Sequence, residues 1–209
     1  MSRWLPVRER LVLTETEPLL LDVLRGRKAE YFGDSASKVE IAPLDLAKDV
    51  RDPEASAALT RHVLDTIVSF NVLEHIEDDR AALSMLIDVL RASDAAERRL
   101  VSFVPAQAWA LSDLDRHYGH YRRYSAARIR ELSRELAPEA TLTLTPFNAL
   151  GLAGWVWSTM ILKHTTIDPA AVRAYDAICR YTRHADNFLC RTLRYPLGQS
   201  FVWVLTLRG

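Results

Sequence analysis

The chain is constrained most by a strand-like run that ends in polar residues and leads directly into a helix. Thr66–Phe70 (TIVSF) is short, apolar and rich in β-branched residues, which is typical of a buried parallel strand. The polar turn 71–75 follows, and the acidic residues 77–79 favour a helix start because the helix dipole stabilises negative charge there. Open α/β sheets bind ligands where such strands end. The stretch therefore predicts a ligand-binding turn.

The same alternation of strand and helix patterns continues along the chain. Strands are predicted at residues 10–14, 38–42, 65–70, 99–104, 141–145 and 201–207. Helices are predicted at residues 19–27, 80–92, 125–136, 148–163 and 170–194. Alternation of this kind predicts an α/β fold with a mostly parallel sheet and helices on both faces.

Charge and composition limit the partners and the compartment that we expect. Lys plus Arg and Asp plus Glu both total 27, so the formal net charge is zero and the usual electrostatic argument for nucleic acid is lost. The longest apolar tract, residues 149–162, is shorter than the roughly 20 residues that span a bilayer. The first ten residues do not resemble a secretory signal, and Cys179 and Cys190 fit two reduced thiols. We therefore expect a cytoplasmic protein with no transmembrane segment and no nucleic-acid partner.

Acidic or amide side chains follow three of the predicted strands. Glu15 follows the first strand, Asp45 the second and Asn71 the third. A carboxylate at the end of the second strand of a nucleotide-binding half typically accepts hydrogen bonds from ribose hydroxyls. A carboxylate after the next strand can accept a hydrogen bond from an adenine amino group. The three strand ends together predict a nucleotide-like ligand.

Five segments occur in an order that resembles a known family. They are LVLTETEP, PLDL, DTIVSFNVLEHIEDD, RLVSFVPA and SDLDRHYGHYRRYSAARI. In this order they resemble the class I S-adenosylmethionine-dependent methyltransferases, and most of all the small-molecule branch with LEHI and GHYRRY motifs. The resemblance covers roughly residues 11–136. It implies a three-layer, Rossmann-like α/β/α sheet, S-adenosylmethionine as the cofactor and a small molecule as the methyl acceptor.

The resemblance also assigns roles to individual residues. It implies that Glu15 holds the ribose hydroxyls, while Asp45 and Leu46 face the adenine. Asn71 and Val72 would line the methionine part of the cofactor. The residues implied on the acceptor side are Asp113, Asp115, His120, Tyr121, Arg122, Arg123 and Tyr124. The basic and aromatic members of this set suit an anionic or sugar-like group, and the alternative is a solvated loop whose tyrosines pack on the sheet edge.

Two histidines are the candidates for a catalytic base. Methyl transfer is a direct displacement that often needs a base to take the acceptor's proton, and His titrates near neutral pH. His75 and His120 are therefore predicted to be catalytic. The alternatives are a packing role for His75 and an ordered loop position for His120. Glu74-His75 resembles the end of the Glu-x-x-Glu-His motif with which some related methyltransferases hold a divalent ion. No metal site is predicted, because Asn71 stands in place of the first carboxylate.

The sequence departs from the family at its start. The family's first strand and its Gly-x-Gly-x-Gly loop should precede LVLTETEP, and no pair of the seven glycines forms such a loop. Glycines in that loop let the backbone approach the cofactor closely. Three hypotheses stay open. In the first, the recorded start lies too late and the chain is N-terminally truncated. In the second, the chain is a cofactor-free binding, scaffold or partner subunit. In the third, a rearranged N-terminus, a homodimer mate or a partner chain fills the gap.

The resemblance gives a domain plan as well. We expect one methyltransferase-like domain over residues 1–209. It would consist of an incomplete Rossmann-like core at 1–147, a helical insertion at 148–194 that covers the acceptor site, and a final strand at 195–209.

Overall fold

The computed structural model describes residues 10–49, 64–164 and 197–209, together with 59, 166, 170, 172–175, 177, 184, 186 and 188. The chain divides into two compact units, Met1–Ala55 and Ser56–Gly209. No helix within the described ranges is long and apolar enough to cross a membrane.

The first unit is built on a pair of parallel strands, β1 (Leu11–Glu15) and β2 (Val39–Pro43). Parallel neighbours need a crossover connection, and here helical segments supply it. They are α1 (Pro18–Gly26), α2 (Lys28–Phe32) and a 3-10 turn (Gly33–Lys38), and α3 (Leu46–Asp49) follows β2. The buried apolar side chains of this unit include Leu21, Phe32 and Val39.

The second unit holds a four-stranded sheet in the order β3-β4-β6-β5. Its strands are β3 (Thr66–Phe70), β4 (Glu97–Pro105), β5 (Thr141–Phe147) and β6 (Ser200–Arg208). β3 and β4 are parallel, whereas β6 runs antiparallel to both β4 and β5. The predicted α/β class is confirmed. β3, β4 and β5 run in the same direction, as expected for a mostly parallel sheet, and β6 is the one of these four strands that runs in the opposite direction. The sequence does not predict this reversal, because strand direction depends on where the preceding connection enters and not on the strand's own apolar pattern.

One face of this sheet is covered by two amphipathic helices. The helices whose bounds lie within 64–164 are α4 (Asp79–Arg91), α5 (Asp113–His117), α6 (Ala126–Leu136) and α7 (Ala149–Trp155), which continues as a π-helix (Val156–Ile161). α4 packs on β3 and β4, and α6 packs on β5 and against α4. Every second residue of β6 faces this layer and is at most 2% exposed, namely Phe201, Trp203, Leu205 and Leu207.

The opposite face of the same sheet is more open. Val68 and Phe70 of β3 are 66% and 62% exposed. Phe70 stacks on Phe103 of β4 with ring centroids 4.5 Å apart, and Phe103 meets Phe147 edge-on. These residues alternate with the buried ones, as the two-residue period of a strand requires.

The predicted strands all form, with bounds that differ by at most two residues. Two helix predictions need a comment. The helix predicted at 148–163 begins at Ala149, because Asn148 takes a left-handed conformation and caps it, and it ends as a π-helix. The helix predicted at 170–194 lies largely outside the described residues, as do both cysteines. The single-domain plan stays a prediction.

Candidate functional site

The turn after β3 is held in place by its backbone. Asn71 adopts a left-handed conformation with φ 50°, which Asn tolerates better than most residues, and its N–H donates to the carbonyl of Phe103 at 3.0 Å. A 3-10 turn, Leu73–His75, follows. Leu73 is fully buried beneath the turn, whereas Asn71 and Val72 are exposed. The two residues assigned to the cofactor are therefore accessible to a ligand.

A second segment, residues 112–124, lies against this turn. Ser112 caps α5 through a capping box with Asp115. Gly119 then reverses the chain with φ 81°, a left-handed conformation in which a side chain would be strained. The N–H of His120 donates to the Asp115 carbonyl at 2.9 Å, and the N–H of Tyr121 donates to the Glu74 carbonyl at 2.8 Å. These bonds attach the segment to the turn.

The two histidines predicted as bases lie side by side in this arrangement. Their ring centroids are 4.6 Å apart, and the rings are nearly perpendicular at 86°. Nδ1 of His120 lies 3.1 Å from Oδ1 of Asp115, so the carboxylate orients the imidazole. Burial lowers the pKa of His75, and the nearby His120 lowers it further. A lowered pKa keeps the His75 ring neutral near pH 7, which is the form that accepts a proton.

Asp115 is buried rather than aimed at an acceptor. It is 0% exposed, and its Oδ2 accepts hydrogen bonds from the Ser112 N–H at 2.8 Å and from Nε of Arg123 at 2.9 Å. Burial alone would raise the pKa of Asp115, but the hydrogen bonds from His120, Arg123 and Ser112 outweigh it and hold the pKa well below its usual range. Arg123 is also buried and lies over the Trp155 ring at 4.2 Å. Both residues position His120.

Tyr124 is likewise part of the interior. It is 0% exposed and its hydroxyl donates to Oδ2 of Asp79 at 2.9 Å. Burial and the neighbouring carboxylate raise the pKa of Tyr124 well above its usual range. Asp79 also lies 3.4 Å from both Arg122 and Arg128, so this one buried carboxylate of α4 joins the segment 112–124 and α6. The acceptor-side role implied for Tyr124 does not fit this burial.

Three other residues of the acceptor-side set are partly or largely accessible. The side chain of Asp113 is 89% exposed and pairs with Arg116 on α5. Tyr121 is 54% exposed, and the guanidinium of Arg122 lies 5.7 Å from its ring centroid. Arg122 also donates to the carbonyls of Ile76 and Glu77 at 2.5 and 2.6 Å. Within the acceptor-side set, His120 and the adjacent Tyr121 combine accessibility with a position at or next to the histidine pair.

Glu74 was considered from the sequence only as a metal ligand beside His75, and that interpretation was set aside. It is 1% exposed, and its Oε2 has no hydrogen-bond partner among the described residues. Burial raises the pKa of Glu74, because the charged form loses its hydration. A sequence signal for this residue exists, since it is a lone carboxylate between the buried apolar residues Leu73 and Ile76.

The residues assigned to the nucleoside are in the first unit, at the carboxyl ends of β1 and β2. Glu15 is the last residue of β1, and its carbonyl accepts from the N–H of Leu44 at 3.2 Å, which extends the strand pairing toward Asp45. Oε1 of Glu15 accepts from the N–H of Thr16 at 2.8 Å. Oδ1 of Asp45 accepts from Ala47 at 3.0 Å, and Oδ2 pairs with Lys48 at 2.9 Å. The hydrogen bond from Lys48 is the main cause of the lowered pKa of Asp45. Leu46, half-buried, opens α3.

Comparison with known proteins gives structural likenesses at low identity. No family model and no curated protein matches the chain. A SAM-dependent methyltransferase from Archaeoglobus fulgidus is 15% identical with a TM-score of 0.46, over 95% of this chain and 86% of its own. The [4+2]-cyclase SpnF is 13% identical with a TM-score of 0.47, over 96% of this chain and 66% of its own.

A third solved structure is the plantazolicin methyltransferase BamL, in complex with a triazolic desmethylPZN analogue and SAH. It is 6% identical with a TM-score of 0.48, over 95% of this chain and 68% of its own. At these values the likenesses carry no argument about the activity of this chain.

Proposed function

We propose that this chain is a methyltransferase that uses S-adenosylmethionine and acts on a small-molecule acceptor. The observation that carries the proposal is the pairing of β1 and β2, which are parallel and in register with Glu15 opposite Pro43. This register puts Glu15 and Asp45 at the same edge of one sheet. Carboxylates at the ends of adjacent parallel strands suit the ribose hydroxyls and adenine amino group of a nucleoside.

Both carboxylates are compatible with this role. Glu15 uses Oε1 for its own turn, and we assign Oε2 to the ribose. Asp45 is paired with Lys48, whose side chain is 83% exposed, so the ion pair is screened by water and costs little to rearrange around an adenine. Leu46 would supply the apolar contact to the base.

In the second unit, the histidine pair supplies the chemistry that the proposal needs. In the transfer, the bond between sulfur and the methyl group breaks as the acceptor's oxygen or nitrogen bonds to the methyl carbon. The acceptor's proton passes to an imidazole, and S-adenosylhomocysteine leaves. We assign the proton to His75 or His120, Asn71 and Val72 to the methionine part, and Tyr121 and Arg122 to the acceptor.

The direct test is isothermal titration with S-adenosylhomocysteine. Charge-assisted hydrogen bonds contribute about 1.5–3 kcal/mol, so Glu15→Ala should weaken binding by about 10–100-fold. Asp22→Ala is the matched control, because its carboxylate lies on α1 and is 77% exposed. Equal affinity in Glu15→Ala and the unaltered chain would refute the assignment of the ribose to Glu15.

A second candidate function is that of a cofactor-free binding or partner subunit, and one observation favours it. β3 pairs with β4 on one side only within the described residues, and its Val68 and Phe70 are exposed. An exposed apolar edge strand is a template for pairing with another strand. We propose a second copy of this chain as the occupant.

This alternative is tested by measuring the molar mass of the chain in solution at a series of protein concentrations. Val68→Lys should reduce self-association, because a lysine on an edge strand disfavours pairing. Leu19→Lys, at a 70% exposed position on α1, is the control for added charge. A monomer at all concentrations, or equal association in both variants, would exclude β3 as a homodimer edge.

A further inference from the structure

We propose that Glu74, His75 and His120 form a binding site for one divalent transition cation of the Zn²⁺ class. Each residue offers one ligand atom, and these atoms all lie within 4.8 Å of one another. The site goes beyond the proposed methyl transfer and stands without it, since it requires neither cofactor nor acceptor. An imidazole bound to a metal ion does not accept a proton, so the metal-loaded site is a state distinct from the one in which His75 or His120 serves as the base.

The state of Glu74 is the first reason. A carboxylate that is 1% exposed normally accepts hydrogen bonds or pairs with a cation, because burying it unpaired is costly. Oε2 of Glu74 has no partner in the described part of the chain. A metal ion on that oxygen would compensate the burial.

The environment of His120 is the second reason. Histidines that bind metals almost always give their other ring nitrogen to a carboxylate or carbonyl, which fixes the ring. Nδ1 of His120 lies 3.1 Å from the buried Asp115, whose other oxygen holds Arg123 at 2.9 Å. Nε2 of His120 is thereby presented as the ligand atom.

The geometry needs only a small adjustment. Ligand atoms bonded tetrahedrally to zinc at roughly 2.0–2.2 Å lie about 3.4 Å apart. The present spacing of up to 4.8 Å is therefore about 1.4 Å too wide at most. His75 is exposed and can move, while the Tyr121–Glu74 backbone bond of 2.8 Å holds the loop on the turn.

Local charge also favours a cation. Glu74 and Asp115 are two buried carboxylates, and Arg123 is the buried cation beside them. With both carboxylates ionised, the three groups sum to one negative charge. Arg123 is bound to Asp115, so the uncompensated charge belongs to Glu74.

The donor set indicates the class of metal. Two imidazoles and one carboxylate suit Zn²⁺ and its neighbours in the first transition row, whereas Mg²⁺ and Ca²⁺ prefer oxygen ligands throughout. Three protein ligands leave at least one coordination position for water or another ligand. From the sequence we predicted no metal site, because only residues 71–75 were considered as ligands. His120 reaches the site from α5's far end, which only the fold reveals.

The test uses the full chain, stripped of metal with a chelator and titrated with Co²⁺ and Zn²⁺ alone. We expect the chain to bind one equivalent of Co²⁺ and to show visible absorption bands typical of low coordination number. Adding Zn²⁺ should displace the Co²⁺ and abolish those bands. Glu74→Gln and His75→Ala should each weaken binding at least tenfold. Asp115→Asn should weaken it by about 10–100-fold, as for other residues that orient a metal-bound histidine.

Two neighbouring residues provide matched controls. Glu77→Gln and His117→Ala remove an exposed carboxylate and an exposed imidazole close to the site, and both should bind Co²⁺ as the unaltered chain does. His75→Ala, at an exposed position, keeps the test open if Glu74→Gln does not fold. The proposal is overturned if the unaltered chain takes up no Co²⁺. It is equally overturned if His75→Ala binds Co²⁺ as tightly as His117→Ala does.

Discussion

At the scale of single residues, the site depends on one buried ion pair. Asp115 and Arg123 are both buried and lie 2.9 Å apart, with His120 on the other carboxylate oxygen. Asp115→Ala would leave the Arg123 charge buried without its carboxylate. We expect the free energy of unfolding to fall by about 3–5 kcal/mol, measured by urea denaturation.

The neighbouring Asp113 is the control for this prediction. It belongs to the same helix, and its ion pair with Arg116 is exposed to water, which screens the interaction. Asp113→Ala should therefore change the urea midpoint little. Equal losses in the two variants would mean that the Asp115–Arg123 pair does not stabilise the fold.

The sequence singled out residues that lie together in the structure, but it did not predict which of them are buried. His75 and His120 were predicted to share a site, and their rings are in contact. Asp115, Arg123 and Tyr124 were placed on the acceptor side, yet all three are buried. The sequence motif of residues 112–124 fixes only how far apart these residues are along the chain. Their burial depends on which elements cover them, and tertiary packing decides that.

At the scale of elements, the strands were predictable because alternation and β-branched runs are local signals. The reversed direction of β6 was not predictable, because antiparallel pairing depends on the connection that precedes the strand. One close approach in that connection can be tested. A Cβ on Gly198 would lie 2.7 Å from both the backbone N and O of Phe147, just before β6 begins.

Gly198→Ala should therefore destabilise the β5–β6 pairing. Overpacking of this kind typically costs about 1–3 kcal/mol, seen as a lower Tm. The matched variant is Gly154→Ala on α7, where an added Cβ meets nothing within 4 Å. Removing a glycine from a helix interior should stabilise by up to about 1 kcal/mol. If Gly198→Ala raised Tm as Gly154→Ala does, the close contact would not exist.

At the scale of the whole molecule, two compact units each carry part of the predicted cofactor set. Glu15, Asp45 and Leu46 belong to the first unit, and Asn71 and Val72 to the second. The sequence predicts a nucleotide-like ligand from the strand ends, which are local signals. How these five residues surround one ligand depends on tertiary arrangement, which a local pattern does not carry, so the cofactor stays a prediction.

The proposed function requires first that this chain binds the methyl donor, and a single binding experiment can show whether it does. It is the isothermal titration of the folded, unaltered 209-residue chain with S-adenosylhomocysteine. We expect saturable binding of one ligand per chain, lost or weakened in Glu15→Ala. A chain that is folded by circular dichroism and releases no heat of binding would contradict the proposed function, while leaving the metal site of Glu74, His75 and His120 to its own test.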